Sequence, residues 1–205
     1  MLVEYFIEFD KTGFPLIGRS DWNYSISLFP VSKYQFERFM IEEGPKGSLY
    51  TDAWYRELLE KNPRASWKNW MNGHEKPWKL FLTGANPNEI TPFLRYLGKN
   101  FRLPTKEQRL ELLKSSDEIQ QINRQELESL CKNKAAPPVA LWIEKGLFPL
   151  VREGLLEIVK TDINYQYIGR PWQGLHNQTW RPEDVRDVNW ELSRFMVGFR
   201  VVKNG

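Results

Sequence analysis

Apolar and polar positions alternate along Leu2 to Asp10 (LVEYFIEFD), which predicts a strand. A KTGFP turn follows, then a second strand-like stretch around YSISLFPV. The period then lengthens. Ser32 stands before KYQFERFMIEE with Gln35 three positions on, so the hydroxyl and the amide can satisfy each other's backbone donors as a capping box. Tyr34, Phe36, Phe39 and Met40 give that helix an apolar side. From Gly44 to Pro87 the pattern is irregular, with one short helix expected near Asp52 to Glu60 and loops pinned by Trp54, Trp67, Trp70 and Trp78. Asn88 is expected to open a helix that ends at Gly98, with Thr91-Pro92 in its first turn. Thr105 and Gln108 repeat the capping box for KEQRLELL, and SSDEIQQINRQELESL continues as a polar helix with a solvated face.

The last third changes character. VALWIE, LLEIVKT, YQYIGRPW and MVGFRVV read as short strands separated by Gly, Pro, Asn and Asp. Helices early and strands late, after one N-terminal strand, predict an α+β fold and not an alternating α/β unit. With no internal repeat and no low-complexity linker, residues 1–205 are expected to form a single domain.

Composition narrows the function classes. Lys and Arg total 29 against 26 Asp and Glu, a net charge of +3, so no basic face for nucleic acid is implied. One cysteine, Cys131, excludes an internal disulfide. The opening residues lack a signal or membrane-spanning pattern, and a cytoplasmic protein is the expectation. Nine Trp, eight Tyr and twelve Phe form a heavy aromatic load that fills an irregular core or supplies contact surface. Gly-rich phosphate loops, a nucleophile elbow and HExxH are all missing from the sequence, and carboxylates such as Glu42, Glu43, Glu183, Asp184 and Asp187 show no spacing that marks an acid and base pair.

Three anchors stand in order: FPVSKYQFERFM, then NEITPFLRYLGKNFRLPTKEQRLELL, then YIGRPWQG followed by GFRVV. This order resembles the sulfatase-modifying-factor or formylglycine-generating-enzyme family, whose pattern runs PVT-N-x-x-Y/F-x-x-F, W-L-G-K-x-x-R-L-P-T-E-A-E-W-E, R-G-G-S-W and G-F-R. The resemblance runs from about Ser27 to Val202 and implies a C-type-lectin-like fold. Through it, Gly198 allows a close backbone approach, Phe199 is buried, and Arg200 hydrogen-bonds to neighbouring loops. The chain departs from the family at KEQRL (Lys106 to Leu110), REGLLEIV (Arg152 to Val159) and GRPWQG (Gly169 to Gly174).

The family's oxidases hold copper through a late pair of cysteines, because soft thiolates favour Cu(I), and this chain has Cys131 alone. The related sulfoxide synthases use clustered histidines, whereas His74 and His176 are far apart here. No cofactor is therefore expected; calcium on loop oxygens of Asp162 to Gln166 stays open by resemblance. What remains is Trp172 to Trp190. It carries Trp172, His176, Asn177, Trp180, Arg181, Asp184, Arg186, Asn189 and Trp190, and Trp and Arg dominate binding hot spots. By resemblance this stretch falls where the family builds its active-site surface, and where lectin-fold variable proteins of diversity-generating retroelements display their ligand-binding residues. Competing with that, Trp172, Trp180 and Trp190 can serve the core, and the Arg and Asp side chains can pair on the surface. The expectation is a non-catalytic, bacterial recognition module for a protein or small-molecule ligand. A metal-dependent oxidase with an Asp or Glu beside His176, and a structural subunit that assembles through Trp67 to Trp78, are the alternatives.

Overall fold

The first and last described strands belong to one sheet, where two strands separate them. The structure, a computed structural model, describes residues 4–43, 80–121, 155–170, 181–188 and 197–205, and single residues at 129, 134, 136, 138 and 139. Strands β1 (Tyr5–Phe9), β2 (Pro15–Arg19) and β3 (Tyr24–Ser27) form an antiparallel meander. Three strands therefore precede the first helix, where the sequence pattern marks two. The missed strand is PLIGR: Pro and Gly read as punctuation, yet Pro15 sits at the strand's start, where a missing N–H is tolerated. Gly18 lies directly under the Phe6 ring, which would sit 2.2 Å from a Cβ at that position.

Helix α1 spans Lys33–Glu43, and Ser32 and Gln35 exchange the expected bonds: Ser32 N–H donates to Gln35 Oε1 (2.9 Å) and Gln35 N–H to Ser32 Oγ (3.1 Å). The Gln35 amide also donates to Asp10 Oδ2 (3.0 Å), tying the helix start to the β1–β2 turn. Helix α2 is Pro87–Leu97, capped at Gly98 as expected but beginning at Asn86, one capping box upstream of the Asn88 start. The sequence signal was Asn-Pro-Asn-Glu, with Pro at the first helical position and Glu89 reaching back to the Asn86 N–H (2.8 Å). Pro92 consequently falls in the second turn, not the first. Strand β4 (Phe101–Arg102), helix α3 (Lys106–Lys114) and helix α4 (Ser116–Gln121) follow, and Thr105 and Gln108 form the predicted capping box.

Late in the chain come β5 (Leu156–Lys160), β6 (Tyr165–Ile168), β7 (Val185–Asp187), β8 (Val197–Phe199) and β9 (Val202–Asn204). One sheet has the order β1-β2-β3-β9-β4 and the other β7-β6-β5-β8, with β5 and β8 parallel. The architecture is mixed, two sheets with helices, as the α+β expectation requires. MVGFRVV is corrected: it is not one strand but two, and the chain crosses between the sheets at Arg200 and Val201. Val139, the first residue of the expected VALWIE strand, is helical, and the rest of that stretch lies outside the described residues. So does the helix expected near Asp52 to Glu60.

Alternate residues of β5 face opposite sides of its sheet. Leu156 and Ile158 pack with Val197, Phe199 and Tyr167 against Phe36 and Phe39 of α1 and Ile90, Phe93 and Tyr96 of α2. Val159 packs with Ile168 against Leu113 of α3. Glu157 shares that second side, and there a buried ion cluster replaces hydrocarbon. Arg109 Nε donates to Glu157 Oε2 (2.9 Å) and Arg109 Nη2 to Oε1 (3.1 Å), while Arg200 Nε also reaches Oε2 (2.8 Å). Arg200 Nη1 donates to the carbonyls of Ser27 (3.0 Å) and Leu28. All three side chains are 2% exposed or less. Burial lowers the Arg200 guanidinium to about 10, opposed by the Glu157 charge, so it stays protonated at neutral pH. The cluster is the joint between α3, the centre of one sheet and the end of β3 in the other.

Gly198 stands at a close backbone approach, Phe199 is buried and Arg200 is hydrogen-bonded, each as expected of that residue, although β9 follows them as a further strand. A Cβ on Gly198 would meet Leu155 Cδ1 at 2.9 Å and the Leu82 carbonyl at 3.1 Å, and Phe199 is 1% exposed. Among the described residues no helix is long and apolar enough to cross a membrane.

Candidate functional site

Of the expected ligand-binding residues, Arg181, Asp184 and Arg186 are described; Trp172, His176, Asn177, Trp180, Asn189 and Trp190 lie outside the described residues, as do Cys131 and His74. The three described side chains come from one corner and one strand. The Asp184 carboxylate accepts the Arg181 N–H (3.0 Å) while the Asp184 N–H donates to the Arg181 carbonyl (3.1 Å), which closes the 181–184 turn on itself. Its carbonyl accepts from Gly169 N–H (3.3 Å), joining the turn to the end of β6.

From that corner β7 runs along β6, pairing Val185 with Ile168, Arg186 with Tyr167 and Asp187 with Gln166. Pleating therefore separates the side chains. Arg186 lies on the Tyr167 side, whereas Val185 packs toward Leu113, Val159 and Ile168, and Asp187 accepts from the Gln166 amide (3.2 Å). Arg186 Nη2 approaches Asp184 Oδ2 at 3.7 Å with both side chains more than a third exposed. Such a pair contributes about 0–1 kcal/mol and orients Arg186 only weakly. Arg181 is exposed.

β7 was not foreseen, because EDVRDV reads as charge and not as strand. Charged side chains are nonetheless common on an outer strand, where they discourage unwanted pairing, and β7 closes its sheet's order. Gly169 sets the corner's position. Its φ of +124° is a conformation that favours glycine, and a Cβ there would lie 2.6 Å from the Leu155 carbonyl oxygen. Gly169→Ala is expected to cost about 1–3 kcal/mol in urea denaturation and to shift the amide resonances of Arg181 to Arg186, because the backbone has no flexible neighbour to give way. Gly18→Ala is the comparison: its obstacle is the half-exposed Phe6 ring, which can swing aside.

The Asp162 to Gln166 stretch, left open for calcium, is the β5–β6 connection. Thr161 Oγ1 donates to the Asn164 carbonyl (2.9 Å) and accepts from the Asn164 N–H (3.0 Å), so that carbonyl is already engaged within the turn. Asp162 is exposed and lines a separate depression at the opposite end of β6 from Asp184.

The most consequential residues that sequence reasoning passed over are Arg109 and Glu157. A signal existed: Glu157 interrupts the apolar run Leu155 to Val159, and a carboxylate buried in such a run demands a cation. In comparisons with protein-family models, characterised proteins and solved structures, nothing matches this chain.

Proposed function

We propose that this protein is a non-catalytic recognition module on a C-type-lectin-like scaffold, binding a protein or small-molecule ligand through the surface of residues 172–190. The observation that carries the reading is the Asp184 corner. Reciprocal bonds between Arg181 and Asp184 and the tie to Gly169 hold the exposed Arg181 in a fixed turn and the partly exposed Arg186 on the outer strand that follows it. Binding surfaces gain affinity when their charged side chains are positioned before the ligand arrives, since less entropy is lost on association. The scaffold reading is supported by the way the chain closes: β9 inserts between β3 and β4, next to the N-terminal meander. A terminus tied in this way leaves the connections between late strands as the variable part.

The test is co-purification read by mass spectrometry, wild type against a Trp180→Ala, Arg186→Ala, Trp190→Ala variant with an unchanged circular dichroism spectrum. Each true hot spot costs about 2 kcal/mol or more, roughly thirtyfold, so a bound partner is expected to disappear from the variant. A partner retained by both proteins would place recognition elsewhere. Stoichiometric iron or copper in the purified protein, lost in His176→Ala, would replace this reading with the oxidase.

A further inference from the structure

A depression of about 370 Å³ opens at the far end of β5, lined by Arg102, Thr105, Lys106, Glu107, Lys160, Thr161 and Asp162. Three elements build it: β4 supplies Arg102, the start of α3 supplies Thr105 to Glu107, and the end of β5 with its turn supplies Lys160 to Asp162. They are locked together by the Thr105 and Lys160 bridge and by the Lys160 N–H donating to the Pro104 carbonyl (2.8 Å).

The charges around this space are unusual in being uncommitted. Arg102 is fixed by neutral acceptors alone, through Nε to Asn204 Oδ1 (3.0 Å) and Nη1 to the Leu103 carbonyl (3.0 Å) and Gln108 Oε1 (2.8 Å). Among the described residues, neither the Lys106 nor the Lys160 ammonium has a hydrogen bond or ion pair. The Thr105 hydroxyl accepts the Gln108 N–H and keeps its own proton to donate.

We infer that this depression binds a phosphate group carried by a small molecule. Arg102, Lys106 and Lys160 approach it from three elements, matching a tetrahedral dianion with three free oxygens better than a planar carboxylate with two. Glu107 and Asp162 at the rim are equally uncommitted and suit hydroxyl groups on the remainder of the ligand. The site is distinct from the Asp184 corner, which lies at the opposite end of β6.

The experiment is a titration of the ¹⁵N-labelled protein with inorganic phosphate at constant ionic strength, with acetate as the comparison. Saturable shifts confined to the amides of Thr105 to Glu107 and Lys160 to Asp162 are expected from phosphate, with binding at least about tenfold weaker for acetate. Lys106→Gln combined with Lys160→Gln is expected to weaken phosphate at least about tenfold with no change in the melting midpoint, since neither ammonium holds the fold. Lys160→Gln alone serves if the double variant does not fold. Absence of saturable shifts up to about 20 mM phosphate, equal shifts from acetate, or unchanged affinity in the lysine variants would each overturn the assignment.

Discussion

Glu157→Gln is expected to destabilise the protein by about 3–5 kcal/mol, the largest loss from any single charged residue described here. The carboxylate accepts from two guanidinium groups and sits 2% exposed. Glutamine keeps the shape and one acceptor but removes the negative charge that both Arg109 and Arg200 bond to in the core. Arg109→Met makes the decisive comparison. It removes two hydrogen bonds, yet it leaves Arg200 and Glu157 as a balanced pair and eliminates the Nη1 that has no acceptor. Its cost is expected near about 1–2 kcal/mol, that of an acceptor left short. Urea denaturation followed by tryptophan fluorescence reads both. Equal losses in the two variants would mean that hydrogen-bond count and not charge balance governs the joint. Added salt should not rescue Glu157→Gln, since buried charges are screened far less than exposed ones.

That joint also shows where sequence reading stops. Local devices were legible: the capping boxes at Ser32 and Thr105 are encoded within four residues, and both form. Gly98 ends its helix for the same local reason. The strands of β5 and β6 followed from their β-branched and aromatic runs. What failed was non-local. Arg109 and Glu157 are 48 positions apart, and each alone looks like an ordinary polar residue on an amphipathic element. The closing GFRVV was read as one strand because its residues favour strand throughout. Only the pairing partners, β5 for Val197 to Phe199 and β3 and β4 for Val202 to Asn204, decide that it divides at Arg200. The candidate surface was legible as a composition, Trp with Arg, but not as a geometry. Its fixed point, the Asp184 turn, depends on a backbone conformation at Gly169 that no side-chain pattern encodes. The depression beside Arg102 was invisible for a related reason, since its lining comes from three stretches that meet only in the fold.

Phe93→Ala is expected to match Glu157→Gln in cost by a different physical route. Phe93 is fully buried, and its ring lies 5.4 Å from Phe36, 5.7 Å from Phe39, 6.2 Å from Tyr96 and 6.0 Å from Phe199, centroid to centroid. It therefore touches α1, its own helix and β8 at once. Truncation loses the transfer free energy of the ring and leaves a cavity that three rigid neighbours cannot all collapse into, about 3–5 kcal/mol. For a chain of this size that corresponds to a melting temperature lower by roughly 6–20 °C. Phe6→Ala, on a ring 49% exposed over Gly18, removes the same atoms but opens no enclosed cavity, and is expected to cost clearly less. The two large effects should also differ in kind. Phe93→Ala loosens the helices from the sheet that carries β7 and so should be partly restored by Phe93→Leu, which refills most of the volume. No neutral residue of similar shape should restore Glu157→Gln while both arginines remain, because its deficit is charge and not volume.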